Sequence, residues 1–198
     1  MKRNLIFVGI TALCAVLAAV ELSTTHAQSG HQQLPGARAV VDASQFPSIQ
    51  AALDSLPEEG GIVQLPPGRF EVTAPLIVST GDTHLAGAGG ATHIVNLNED
   101  GQAAVILQHA DGNEVANDDR LWRIMISNLR VTGNPKSGSG IHAIQIQEVF
   151  LQGVTVSEHG GDGICLDKCY EDPRVSHCLI TYNGQTGLNL IGCHDIVV

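Results

Sequence analysis

Aromatic side chains are scarce: one Trp, two Tyr and four Phe in 198 residues, 4% of the chain. Small and aliphatic residues must therefore fill the interior, from an apolar content of 43% that also carries 22 glycines. Basic residues are scarce as well, 10 Lys and Arg against 20 Asp and Glu, for a formal charge of −10. Such a field repels nucleic acid, whose binding relies on Lys and Arg neutralising phosphates, so no DNA or RNA partner is expected. Long hydrophobic runs are missing too. The longest, at residues 5–20, has sixteen positions, short of the roughly 20 that a membrane-spanning helix needs. The composition also excludes a coiled coil.

Lys2 and Arg3 precede that run, and the polar stretch at residues 23–28 follows it. This is the pattern of a secretory signal peptide with a cut after Ala27, so residues 1–27 would be removed and residues 28–38 would serve as a linker. The protein is expected to be secreted or periplasmic, free of the membrane after cleavage, and a monomer. Removal leaves eight basic and nineteen acidic side chains, so an acidic ligand requires a local basic patch or a bridging divalent cation. Calcium is the natural candidate for that cation, because it prefers oxygen ligands. Cys14 leaves with the leader, and the remaining Cys165, Cys169, Cys178 and Cys193 lack metal-site spacing in a domain that does not need staples. Buried thiols are expected.

Residues 39–61 read as an amino-terminal cap. Ile49, Ala52, Leu53 and Leu56 follow the i, i+3, i+4, i+7 rule and predict a short helix, with Pro57 and Gly60-Gly61 ending it. Short β-type runs follow at 62–65, 70–72, 76–78, 93–97 and 105–108. The decisive pattern comes later. "ISNLRVTGN" from Ile126, "LQGVTVSEH" from Leu151 and "VSHCLITYN" from Val175 align at offsets of 25 and 24 positions. Apolar residues then share columns: Ile126, Leu151 and Val175; Leu129, Val154 and Cys178; Val131, Val156 and Ile180. A unit this short buries its apolar face only by stacking on its neighbours. The predicted fold is all-β: a single-stranded right-handed parallel β-helix over residues 62–198, with an amino-terminal capping α-helix. The last residues, "CHDIVV", align with the start of another strand, so further coils are expected beyond them.

Alternation within strands assigns the faces. Ile164, Leu166, Leu188 and Leu190 point inward, which sends Cys165, Asp167, Asn189 and Ile191 outward. Asn134, His159 and Asn183 share a turn column, where stacked polar side chains can hydrogen-bond along the axis. Cys169 and Cys193 occupy matching positions, and parallel in-register side chains suit a stacked thiol pair better than a bridge.

"VDASQFPSIQAALDSLPEEGGIVQLPPGRFEV" followed by "THLAGAGGATHIV", together about residues 40–97, resembles the amino-terminal part of the pectate lyase superfamily, especially its rhamnogalacturonase and epimerase-like branch. The resemblance implies an extracellular protein acting on a polysaccharide, with a uronic-acid polymer lyase or epimerase as the leading expectation. A non-catalytic exported module that binds glycans is the alternative. Elimination or epimerisation needs a base and a stabilising cation or metal, whereas hydrolysis needs paired carboxylates. The Asn-Thr-Asp, Asp-Asp and Gly-His-Gly motifs of polygalacturonase-type hydrolases are not present in the sequence. "DPR" at Asp172 is similar to the Asp-Pro-His of alginate epimerases, with Arg in place of His.

Residues 158–177 hold the densest charged patch. Asp162 and Asp167 are the candidate carboxylate pair, and Lys168, Arg174 and His177 are the candidate bases or uronate-binding cations. Asp172, with His142 and Asn189 on an outward column, is the candidate substrate-binding set.

Overall fold

The computed structural model describes residues 34–112 and 115–198. The proposed leader, with Cys14, lies outside the described residues. Residues 36–198 form one compact unit.

In chain order the elements are β1 (Ala39–Asp42), α1 (Ile49–Asp54), β2 (Gly61–Gln64), β3 (Gly68–Val72), β4 (Leu76–Val78), β5 (Thr83–Ala86), β6 (Thr92–Asn96), β7 (Val105–Leu107) and β8 (Trp122–Ser127). They continue with β9 (Arg130–Thr132), β10 (Ile141–Ile144), β11 (Gln147–Gln152), β12 (Thr155–Ser157), β13 (Ile164–Asp167), β14 (Arg174–Ser176), β15 (Leu179–Thr181) and β16 (Leu188–Ile191). Every pairing is parallel and joins one coil to the next. The first sheet runs β1-β2-β5-β8-β11-β14, the second β3-β6-β9-β12-β15, and the third β4-β7-β10-β13-β16. The chain is a right-handed parallel β-helix, as the repeat predicts.

The register explains why small and aliphatic residues suffice. Val63, Leu85, Ile126, Leu151 and Val175 form one inward column of the first sheet. Phe70, Ile94, Val131, Val156 and Ile180 form the matching column of the second, and Leu76, Val105, Ile141, Ile164 and Leu188 that of the third. Stacking at about 4.8 Å places like side chains in van der Waals contact and leaves little room for large rings in a narrow lumen.

Sharp corners separate the sheets, and left-handed residues make several of them. Arg123, Glu148 and Glu171 fall in one column at φ of 54°, 56° and 58°. Each turns the chain into a strand of the first sheet or its extension, which excludes β-branched residues there.

Helix α1 begins at Ser48, whose hydroxyl accepts the Ala51 N–H at 3.1 Å, and buries Ile49, Ala52 and Leu53 in the core. It covers the amino end of the lumen, where apolar interior would otherwise meet water. The Asn134, His159 and Asn183 column is also present. Asn134 donates to the Asn96 and Asn98 carbonyls at 3.1 and 2.8 Å, and the His159 N–H donates to Asn183 Oδ1 at 3.1 Å. His159 is a rung of this ladder and is 1% exposed.

Candidate functional site

The eight sequence-derived candidates divide between faces and corners of the helix. Four of them meet on or beside the outer face of the third sheet. His142 on β10 pairs in register with Cys165 on β13, which pairs with Asn189 on β16. Asp167 ends β13, and Asp162 lies two residues before it. Asp162 does not face a groove. It is 6% exposed, and its oxygens accept the Thr186 N–H and the Asn189 Nδ2 amide, each at 2.9 Å. Both bonds hold the next coil, which corrects the expectation of a groove carboxylate. Cys165 takes the outward register yet is 4% exposed, because His142 and Asn189 stack on either side of it. Its thiol is pushed up to about 11, first by burial and then by Asp162 and Asp167. His142 is half-buried. Burial holds its imidazole below the ordinary range, against the opposing pull of Asp167 and Asp162. His142 Nε2 and Asp167 Oδ1 are both buried without a hydrogen-bond partner.

The other four stand apart from that face. Lys168 and His177 are exposed corner residues with φ of 52° and 54°, Asp172 is an exposed turn residue, and Arg174 begins β14 on the outside of the first sheet beside Phe150. One catalytic cluster drawn from residues 158–177 is therefore not what the fold builds, because a coil wraps around the helix and carries that segment through three directions.

At the corner between the third and first sheets the fold builds a different feature. Trp122 pairs with Gln147, Gln147 bridges to Tyr170, and the Tyr170 ring stacks on His194 with centroids 4.2 Å apart. These four residues form a column along the helix axis. The Arg120 guanidinium lies 4.8 Å from the Tyr170 ring centroid, a contact that fixes a cation by its attraction to the ring face. Together with Asp118 and Glu171 they line a cavity of about 480 Å³, within the usual range for small-molecule and sugar sites. Two of the lining side chains carry a buried atom with no hydrogen-bond partner, Arg120 Nε and Gln147 Oε1.

Sequence reasoning reached the segment that holds Tyr170 and Glu171 but missed the column. Its members recur at the repeat period, yet Trp, Gln, Tyr and His share no chemistry that an alignment of apolar columns would reveal. A larger hollow of about 680 Å³ beside Asn134, His159 and Tyr182 borders the polar ladder and carries no cation. The smaller cavity is the better site.

Among the described residues no group of three or more His, Cys, Asp or Glu is placed to hold a metal ion. The described cysteines are free. The Cys169 N–H donates to Cys193 Sγ at 3.3 Å, so the two thiols stack as expected. Among the described residues no helix is long and apolar enough to cross a membrane.

No family model matches the chain, and no curated protein matches it either. ORF18 of Geobacillus virus E2 superimposes with a TM-score of 0.42 at 18% identity, over 78% of this chain and 41% of that one. The chain thus spans less than half the length of that structure. The parallel β-helix rests on the register described above.

Proposed function

We propose that the protein is an exported, polysaccharide-acting β-helix of pectate lyase type that takes an acidic, uronate-containing glycan at the Arg120–Tyr170 groove. The observation that carries this reading is the distribution of cations in an acid-rich chain. Arg123 and Lys136 bond Asp82 and Glu99 at 2.5 and 2.7 Å, and Arg69 bonds Glu71. Arg120, Arg130, Lys168 and Arg174 form no ion pair with a carboxylate among the described residues. Of these only Arg120 lines the groove. An unpaired guanidinium beside an aromatic stripe suits a sugar that carries a carboxylate, since guanidinium binds carboxylates through two parallel hydrogen bonds.

The reaction this furnishing supports is β-elimination or C5 epimerisation. A base removes the proton beside the uronate carboxyl, and cationic side chains stabilise the charge that builds there. Arg120, the cation that lines the groove, is the group assigned to the second task. The amino-terminal leader pattern supports export.

The test is incubation of the protein with polygalacturonate and alginate, with and without calcium, following an unsaturated product by absorbance, C5 inversion by NMR and binding by calorimetry. Binding that weakens by roughly tenfold in Arg120→Ala is expected. Binding without turnover would leave the glycan-binding module as the function. Equal affinity of Arg120→Ala and the native protein for uronate polymers would overturn the assignment.

A further inference from the structure

We propose that the outward face of the first sheet, around Phe150 and Arg174, is a second binding site for a uronate unit. This rests on the uronate reading above and adds a site to it. The new site shares no lining residue with the Arg120–Tyr170 groove.

Alternation along the strands sets what this face presents. Leu151 and Val175 point into the lumen and are 0% and 5% exposed. Their neighbours therefore point outward: Phe150 and Gln152 on β11, Arg174 and Ser176 on β14. The register pairs Phe150 with Arg174 and Gln152 with Ser176, and on the other side it pairs Phe150 with Met125 of β8. Successive coils lie about 4.8 Å apart, so Met125, Phe150 and Arg174 form one outward column with Gln152 and Ser176 beside it. All five line a hollow of about 390 Å³, within the range of small-molecule sites. None of the five is buried, so a ligand in the hollow meets their side chains directly.

The chemistry of the face selects the ligand. Phe150 is one of only four Phe in the chain, and with Met125 it lays an apolar floor outside the core. The C–H face of a pyranose ring lies flat on such a floor through dispersion contacts. Arg174 has no ion pair, side-chain hydrogen bond or ring contact among the described residues. Its guanidinium is free to hold a carboxylate through two parallel hydrogen bonds. The Gln152 amide and the Ser176 hydroxyl also lack side-chain partners among the described residues, and both donate to and accept from ring hydroxyls. One coil earlier the polar column closes, because Ser127 is 2% exposed and its hydroxyl bonds His84 Nε2 at 2.7 Å. A phosphate would meet Arg174 but leave the apolar floor bare. A neutral sugar would cover the floor but leave Arg174 unpaired, and an ammonium ligand would be repelled. A uronate engages every side chain of the face.

The experiment titrates the full chain, isotopically labelled at its methionine methyl groups, with trigalacturonate and with neutral xylotriose. The sequence holds two Met, Met1 and Met125, and one Trp, Trp122. The Met125 methyl signal, assigned by its loss in Met125→Leu, therefore reports this site by NMR, and Trp122 fluorescence reports the groove. A saturable shift of the Met125 signal with trigalacturonate is expected. Its affinity should fall about tenfold with xylotriose and in Arg174→Ala, fall several-fold in Phe150→Val, and stay unchanged in Arg120→Ala. Circular dichroism verifies that the variants are folded. A Met125 signal that does not respond, or that responds with equal affinity to xylotriose or in folded Arg174→Ala, overturns the inference. A Trp122 response in that same titration leaves the uronate groove standing. A Met125 response without one from Trp122 keeps this site and removes the groove, and silence of both reporters overturns both.

Discussion

Gln50 holds the backbone of Ile77 from both sides: its Nε2 donates to the Ile77 carbonyl at 3.1 Å and its Oε1 accepts the Ile77 N–H at 2.8 Å. One side-chain amide thus imitates a peptide unit of a strand that would lie below β4, the terminal strand of the third sheet. An uncovered edge of this kind invites pairing with another chain. Gln50→Ala is expected to destabilise the protein by about 1–3 kcal/mol in urea titration and to increase self-association on gel filtration. Unchanged stability together with unchanged elution would show that the edge needs no such plug.

How much of this was legible in the chain depends on whether a column repeats its chemistry. Ile126, Leu151 and Val175 are alike because each fills the same lumen, so the period exposed the helix and its inward face. Helix α1 was legible for the same reason, through one apolar stripe. Strand β5, Thr83–Ala86, was not, since only Thr83 of its four residues favours strands and parallel neighbours on both sides hold it. Asp162 was read as a site carboxylate because its partners, Thr186 and Asn189, lie 24 and 27 positions later. The groove column stayed hidden because solvent-facing positions of a β-helix are free to differ from coil to coil.

His159 makes stability depend on pH. Burial drops its imidazole to about 4, while in the unfolded chain it titrates near 6.5. Between these values the unfolded state binds the extra proton, so stability rises with pH through that window and falls as acid is added. The shift is worth about 3 kcal/mol, present above pH 6.5 and lost by pH 4. Burial lowers His84, His93 and His142 in the same direction. Urea melts at pH 7.5 and 4.5 measure the effect, and His159→Asn, which matches the rest of its column, should flatten the dependence. A slope unchanged in that variant would move the effect to the other histidines.

Asp162 has a structural task that mutation can separate from chemistry. Asp162→Ala leaves the Thr186 N–H and the Asn189 amide without their acceptor and should cost about 1.5–3 kcal/mol, as expected for hydrogen bonds to a charged group. Asp162→Asn keeps one acceptor oxygen and should lose less. Glycan affinity, measured where both variants are folded, should match that of the native protein. A selective loss of binding or turnover in Asp162→Asn would return this residue to the site.

Cys193 is the thiol expected to react first. It accepts a hydrogen bond from the Cys169 N–H, and its contact with the Cys169 side chain holds it below the ordinary thiol range, while the same contact with burial pushes Cys169 up. Cys193 is also partly exposed, whereas Cys169 is fully buried. Brief alkylation at pH 7 followed by peptide mass mapping should label Cys193 well ahead of Cys165, Cys169 and Cys178. Uniform labelling, or labelling led by Cys178, would contradict the polarised pair.

Arg120→Lys separates charge from shape at the groove. Lysine keeps the positive charge but has neither the planar face that lies on Tyr170 nor an Nε–H donor, so the exchange is not conservative here. Affinity for a uronate polymer should fall several-fold although net charge is unchanged, and the fall should persist at high salt. Long-range attraction alone would be restored by lysine and screened within about 10 Å at 0.1 M salt. Native affinity in Arg120→Lys would therefore mean that the groove supplies only a diffuse positive field, and the directed contact between guanidinium and sugar would be refuted.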